Sequence, residues 1–282
     1  LFANAPFGGQ YKVTVVTSNG GVPPAVCTRR TSSNIDITQP AELTITTGAN
    51  PGVCEGSLSA NLTYSATTGS PDQYSIDFAA AAEAQGFTDV VNAALPASPI
   101  VIAIPGGAAA GTYNAALTVR NSGTSCTSAS SPISVTINPI PSITLGANPS
   151  VCSGSTTANL TYSATTGTPD QYSIDFNAAA EAQGFTDVVN AALPASPVAI
   201  TVPGGAAAGT YNATLTVRNS STSCTSASSP ITVTINSNPT ITLGANPTVC
   251  SGTNADLTYS ATTGSPDQYS IDFNAAAEAQ GF

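Results

Sequence analysis

The chain contains no histidine, methionine or tryptophan, and only five of its 282 residues are basic. Histidine is the side chain that most often moves protons near neutral pH and most often ligates transition metals. Its absence excludes most hydrolase and metalloenzyme constellations, and the chain reads as a non-enzyme. Lys12, Arg29, Arg30, Arg120 and Arg218 stand against fifteen acidic residues, for a net charge of −10. With no basic patch to neutralise phosphates, nucleic acid is excluded as a partner, and an anionic membrane surface would repel the chain. No uninterrupted apolar run reaches the ~18 residues of a membrane span, so no membrane insertion is expected. Charged residues make up only 7% of a chain that is 41% hydrophobic, so solubility rests on Ser, Thr, Asn and Gln. The missing methionine denies oxidants a target, and the scarce Lys and Arg deny trypsin-like proteases their sites. Both suit a life outside the cell. The first residue is Leu1 and no secretory leader is recognisable, so the chain is expected to be a mature segment or a piece of something longer.

What the sequence does have is repetition. Cys54, Cys152 and Cys250 sit in ANPGVCEG, ANPSVCSG and ANPTVCSG at intervals of 98 residues, and Cys126 and Cys224 share TSCTSASSP at the same interval. Residues 61–102 and 159–200 differ at four positions: Ser70/Thr168, Ala79/Asn177, Ile100/Val198 and Val101/Ala199. A period near 100 residues is longer than a solenoid unit and long enough for an independent domain. The expected organisation is a C-terminal half-repeat at 1–40, complete repeats at 41–139 and 140–238, and an N-terminal half-repeat at 239–282. Copying one site in a row gains an enzyme little, whereas a stalk, tether or fibre gains reach.

Within the second complete repeat, apolar and polar residues alternate at Ile143–Leu145, at Leu160, Tyr162 and Ala164, and at Tyr172, Ile174 and Phe176. Alternation returns at 197–202, at Tyr211, Ala213, Leu215 and Val217, and at Ile231, Val233 and Ile235. Asn177–Gln183 is the one helix-prone stretch, expected to run about two turns and to close at Gly184. Phe185 and Val188–Val189 are expected to anchor it to the sandwich edge. Short strands at this spacing predict an all-β fold: tandem immunoglobulin-like β-sandwiches with a short helix after the third strand, strung as beads into a rod. Gly-x-Tyr before the long strand resembles a tyrosine corner, which assigns structural roles to Tyr11, Tyr113 and Tyr211. Prolines in the linkers 138–141 and 236–239 stiffen the joints.

Several of these strings resemble the PKD-like and Ig-like tandem repeats of large secreted surface proteins of Bacteroidota, including gliding-motility adhesins and type 9 secretion substrates. They are Val-Cys-x-Gly before the second strand, Tyr-Ser-Ile-Asp-Phe in the third, Gly-Thr-Tyr-Asn…Leu-Thr-Val-Arg-Asn in the sixth, and the late-loop cysteine before Ile-Thr-Val-Thr-Ile. Tyr-Ser-Ile-Asp-Phe is similar to the Tyr-x-Trp-Asp-Phe-Gly-Asp of PKD domains, with Ile in place of Trp and Asn-Ala-Ala in place of Gly-Asp. The resemblance implies an extracellular structural repeat and no known ligand.

The six cysteines lie in Ser/Thr/Gly-rich loops without a CxxC pair, which points to disulfides in an oxidising compartment rather than to zinc. Connectivity cannot be deduced from sequence alone. Because both cysteines belong to every repeat, the intradomain bonds Cys54–Cys126 and Cys152–Cys224 are preferred over a staple between neighbours, Cys126–Cys152. Cys27 and Cys250 would then pair outside this segment. Asp72, Asp77, Asp170 and Asp175 are the candidates for calcium, a cation that takes several oxygen ligands, although no Asp-x-Asp-x-Asp-Gly spacing accompanies them. Their other reading is turn-capping by Asp72 and an outward strand position for Asp77. No other cofactor is expected. Asn61, Asn159, Asn212 and Asn219 open glycosylation sequons. The function these residues support is a structural segment of an extracellular bacterial stalk, adhesin or filament. Its expected partners are flanking repeats and other copies in a filament. A carbohydrate-recognising adhesin module is the alternative.

Overall fold

The computed structural model describes residues 9–18, 28–37 and 42–281, with side chains from residue 42 onward. The chain folds as two compact units, Leu1–Ile137 and Asn138–Phe282. In the first, β1 (Gly9–Ser18) and β2 (Thr28–Ile37) form an antiparallel pair with Gly9 opposite Ile37 and Ser18 opposite Thr28. Cys27 and the side chain of Tyr11 lie outside the described residues.

A β-sandwich follows within the same unit. Its elements are β3 (Thr44–Thr47), β4 (Gly52–Cys54), β5 (Ser59–Leu62), β6 (Tyr64–Thr68), β7 (Gln73–Phe78), α1 (Ala80–Glu83) and β8 (Val90–Ala94). β9 (Ile100–Ala103), β10 (Gly111–Asn121), β11 (Cys126–Thr127) and β12 (Ser131–Asn138) complete it. The second unit repeats the pattern with β13 (Ser142–Leu145), β14 (Ser150–Cys152), β15 (Thr157–Leu160), β16 (Tyr162–Thr166), β17 (Gln171–Phe176), α2 (Ala178–Glu181) and β18 (Val188–Ala192). It continues with β19 (Val198–Thr201), β20 (Gly209–Arg218) and β21 (Ser229–Asn236). β22 (Thr240–Leu243), β23 (Tyr259–Thr263) and α3 (Ala275–Glu278) begin a third copy.

Each sandwich sets one large sheet against two strand pairs. In the second unit the large sheet has the order β14-β21-β20-β17-β18, and the pairs are β15-β19 and β13-β16. Every pairing in it is antiparallel except β14 with β21. The first sandwich repeats this order as β4-β12-β10-β7-β8, with β11 added beside β10. The period-2 pattern explains the layers. Along β20, Tyr211, Ala213, Leu215 and Val217 are buried, while the even-numbered polar residues between and after them, Asn212, Thr214, Thr216 and Arg218, face outward or sit half-covered. Ala158, Leu160, Val198 and Ile200 close the core from the opposite side. No charged or polar side chain is buried among the described residues. Hydrophobic burial, about 1.5–3 kcal/mol for each fully covered Leu or Ile, is therefore the main cohesive term.

Three local expectations are corrected. The run expected as one strand from Leu160 breaks at Thr161, and its two parts join different pairs: β15 meets β19, and β16 meets β13. Here Thr161 O accepts the Gly146 N–H at 2.7 Å, beside a register shift between Thr144 and Leu145. A Cβ on Gly146 would run into the Thr161 hydroxyl, so glycine is what lets the two backbones meet. The helix forms one turn rather than two, because Gly184, three residues past its end, takes φ +94°. Finally, of the two residues at 188–189 only Val188 packs against the core. The pair starts the edge strand β18, so alternation turns Val188 inward, half-buried, and leaves Val189 75% exposed. Phe185 does the anchoring at 2% exposure, its ring 4.9 Å from Phe176 and 4.8 Å from Tyr211.

In the third copy, Leu257, Tyr259, Ile271 and Phe273 are between 41% and 64% exposed, although their counterparts in the complete sandwiches face the core.

Candidate functional site

The repeated residues of each sandwich gather at two poles. At the first pole of the second unit, the chain arrives through Pro141, which lies against Gly167. Asn219 follows β20 there, and its side-chain amide donates to the Gly167 and Thr168 carbonyls at 3.1 and 3.0 Å. The Asn219 N–H donates to the Cys224 carbonyl at 2.9 Å, which brings the late loop to the same pole. Asp170 completes the cluster. One of its carboxylate oxygens accepts the Ser220 N–H at 2.7 Å and the other accepts the Ser220 hydroxyl. The Ser220 hydroxyl, then its N–H, holds the Asp170 carboxyl below the usual aspartate range. Asp72 is held down in the same way by Ser122. Nearby, the Arg218 guanidinium donates to Gln171 and Ser223, each at 3.0 Å.

At the second pole the chain leaves along β21. Cys152 pairs with Asn236, Val151 with Ile235, and Ile235 in turn lies opposite Gly209. The Asn148 side chain accepts from the Thr232 N–H at 3.1 Å, and the Asn238 amide donates to the Ser153 carbonyl at 3.1 Å. Tyr211 donates its hydroxyl to the Ala207 carbonyl at 2.6 Å, and Tyr113 does the same to Ala109.

This geometry does not hold the expected disulfides. Cys224 sits level with Asn219 and Cys152 just beyond the level of Gly209. Ten residues of extended strand separate those levels, roughly 33 Å at about 3.3 Å per residue. Bonded cysteines need Cα atoms within about 7 Å, so Cys152–Cys224 cannot form inside one sandwich. The first sandwich repeats the case, with Cys126 opposite Asn121 and Cys54 closing β4, which lies beside β12 at the other pole. Cys126, Cys152 and Cys250 are free thiols, whereas Cys54 and Cys224 are each disulfide-bonded. The alternative staple Cys126–Cys152 is therefore absent as well.

The calcium candidates are not brought together. Asp170 precedes β17 and Asp175 lies on it, an odd number of residues apart and hence on opposite faces. About five residues of strand also separate them, roughly 17 Å. Asp72, just before β7, and Asp77, on it, stand in the same relation. Asp170 and Asp72 instead tie loops at the first pole. Among the described residues no group of three or more Cys, Asp or Glu side chains could share a metal. Two further recurring carboxylates have structural work: Asp89 and Asp187 accept the Phe78 and Phe176 N–H groups at 2.8 Å where the third strand ends.

One recess described in the second unit is open and about 330 Å³, lined by Asp175, Asn177, Asn212, Thr214, Pro230 and Thr232 among others. It contains one carboxylate and no exposed aromatic ring, since Phe176, its one aromatic lining residue, is buried. That is neither the paired acids of a glycosidase nor a stacking platform for sugars. Of the sequon asparagines, Asn219 already has its amide engaged at the first pole.

No family model matches the chain, and no curated protein matches it. Solved structures with some likeness include the FN1–FN3 domains of chicken CNTN1, 12% identical over 80% of this chain and 75% of that one, with a TM-score of 0.38. Immunoglobulin domains 1–5 of Sidekick-1 are 15% identical over 85% of this chain and 49% of theirs, TM-score 0.32. The titin z1z2 domains in complex with telethonin are 13% identical over 69% and 97%, TM-score 0.25. The fold class rests on the strand topology described above: an all-β chain of repeated immunoglobulin-like sandwiches.

Proposed function

We propose that this chain is a structural repeat segment of an extracellular bacterial stalk, adhesin or filament, contributing length and stiffness rather than catalysis. One observation carries the reading. In each complete sandwich the chain arrives at one pole, beside Gly167 in the second unit, and leaves at the other, beside Cys152. A domain threaded from pole to pole adds its full height to whatever it is inserted in, and two near-identical copies add it twice. The Val-Cys-x-Gly, Tyr-Ser-Ile-Asp-Phe and Leu-Thr-Val-Arg-Asn strings support placing it among secreted surface repeats like those of Bacteroidota. The cysteine usage supports an oxidising, extracellular setting. Small-angle scattering of the full chain tests the reading. The expected result is an extended particle whose longest dimension grows by one domain height, on the order of 35–40 Å, when a copy of residues 140–238 is inserted. A compact particle that does not lengthen would overturn it, as would saturable binding to a defined glycan on a sugar array.

A further inference from the structure

We infer that the recess on the outer face of the second sandwich is a receiving pocket for an arginine side chain presented by a partner protein. Such a pocket adds to the proposed structural role and does not depend on it. The recess is built from two rows of side chains on the large sheet. In one row Asp175 of β17 lies opposite Thr214 of β20, which lies opposite Pro230 of β21. In the next, Asn212 lies opposite Thr232, and Asn177, just past the end of β17, donates its N–H to the Asn212 carbonyl at 3.1 Å. Paired residues hold their Cβ atoms about 5 Å apart, and the rows lie roughly 7 Å apart because side chains of one face recur at every second residue.

The chemistry of this grid selects a cation of particular shape. The Asp175 carboxylate, the Thr214 and Thr232 hydroxyls and the Asn212 amide have no hydrogen-bond or ion-pair partner among the described residues. The one formal charge lining the recess is negative, on a chain of net charge −10. Arg218, on the same face, lies roughly 13 Å beyond Thr214 along β20, and its guanidinium is already held by Gln171 and Ser223. A bare calcium ion is not matched, since it takes about six to eight oxygens, usually with several carboxylates. A guanidinium is. Its single charge answers the single carboxylate, and its planar fork carries further N–H donors for the Thr214 hydroxyl and the Asn212 carbonyl. The exposed Pro230 ring offers an apolar wall to the methylene stem. Because the recess is open, it does not enclose a free small molecule as ligand pockets do. A side chain carried by a protein needs only its tip received, and the neighbouring threonines of β20 and β21 present uncharged surface to the rest of the partner.

The first sandwich supplies a natural comparison. Its corresponding rows are Asp77, Ala116 and Pro132, then Ala79, Asn114 and Ser134. Residues 61–138 and 159–236 differ at nine positions, and three of the nine fall on the six positions of this grid. Thr214 places a hydroxyl between Asp175 and Pro230 that Ala116 cannot supply. Asn177 adds an amide whose oxygen keeps one lone pair after accepting the Ala180 N–H. Both copies therefore hold the carboxylate, and the second holds more acceptors around it.

The test is a titration of the full chain with the peptide acetyl-Gly-Arg-Gly-amide, followed residue by residue through backbone amide NMR shifts. Saturable shifts are expected at residues 175–177, 212–214 and 231–232, at millimolar concentrations for so small a probe. Residues 77–79, 114–116 and 133–134 of the first sandwich, read in the same titration, should respond several-fold more weakly. Citrulline, the neutral isostere, in place of the peptide's arginine and the isosteric variant Asp175→Asn should each weaken binding about tenfold or more, because each removes a charge-assisted pair. Lysine in the peptide should weaken it at least about threefold, since a compact ammonium cannot span the same acceptors. Thr214→Ala, which installs the residue the first sandwich already carries, should bring the second site down to the first. Shifts that never saturate, spread over the acidic surface at large, persist with citrulline or lysine, survive Asp175→Asn or ignore Thr214→Ala would overturn the assignment.

Discussion

Replacing Tyr211 with phenylalanine isolates one hydrogen bond in one copy of a duplicated domain. The hydroxyl donates to the Ala207 carbonyl at 2.6 Å, while the ring packs 4.8 Å from Phe185 and is only 7% exposed. Phenylalanine keeps the ring and its contacts, so the loss is confined to the bond and to what becomes of its acceptor. Ala207 is an exposed residue, and water can reach the orphaned carbonyl. The cost is therefore the net value of a hydrogen bond, about 1 kcal/mol, rather than the larger penalty for stranding a buried group. For a domain of this size that is a fall of about 4–8 °C in the unfolding midpoint. Differential scanning calorimetry of the full chain should show the second sandwich's transition moving by that amount, with the first sandwich's transition held as an internal reference. Tyr113→Phe should move the other transition, and the double variant should move both additively. A shift below about 1 °C would show that the hydroxyl contributes nothing. A loss as large as the roughly 3–5 kcal/mol of an aromatic truncation would show that the ring had lost its place, and the corner argument would fall.

The two copies contain a second natural comparison: the Asn177 side chain accepts the Ala180 N–H at 2.9 Å at the head of α2, whereas Ala79 at the head of α1 makes no such bond. Asn177→Ala should cost about 1 kcal/mol and Ala79→Asn should return a similar amount, read as opposite shifts in urea midpoint. Gly167 has φ +65° with a would-be Cβ 2.8 Å from the Pro141 Cα, and Gly154 has φ +89° with open space around it. Gly154→Ala should therefore cost only the conformational strain of about 1–2 kcal/mol, and Gly167→Ala should cost clearly more; equal losses would refute the close approach at the linker. The Asp72 and Asp170 carboxyls are held below the usual range by Ser122 and Ser220. Their stabilisation is thus complete above the unfolded-state value near 3.9 and is lost as pH falls through the lower folded value. Thermal midpoints measured from about pH 5 downward should decline in that window, and less steeply in the Asp72→Asn/Asp170→Asn variant; parallel curves would remove these carboxyls from the account.

The sequence by itself determined a good deal, because the deciding signals were local. Strict alternation at Tyr211–Val217 and Ile231–Ile235 specifies half-buried strands, since side chains leave a pleated backbone on alternate sides. The 98-residue interval of the cysteine strings specifies the copying. Local pattern overreached where another part of the chain intervened. The run from Leu160 reads as one strand, yet it divides at Thr161 because Gly146, fifteen residues earlier, takes that carbonyl. Asp170 leaves calcium and turn-capping both open until Ser220, fifty residues later, claims both its oxygens. The cysteines show the limit most plainly. Spacing in sequence made Cys54–Cys126 and Cys152–Cys224 the natural pairs, because both members recur in every repeat. Distance in a sandwich is set instead by the register of β20 against β21 and of β21 against β14. That register is fixed by backbone pairing between residues 14 to 84 positions apart, and no local window contains it. It sends one cysteine of each repeat to the pole where the chain arrives and the other to the pole where it leaves, and only the tertiary structure could decide which.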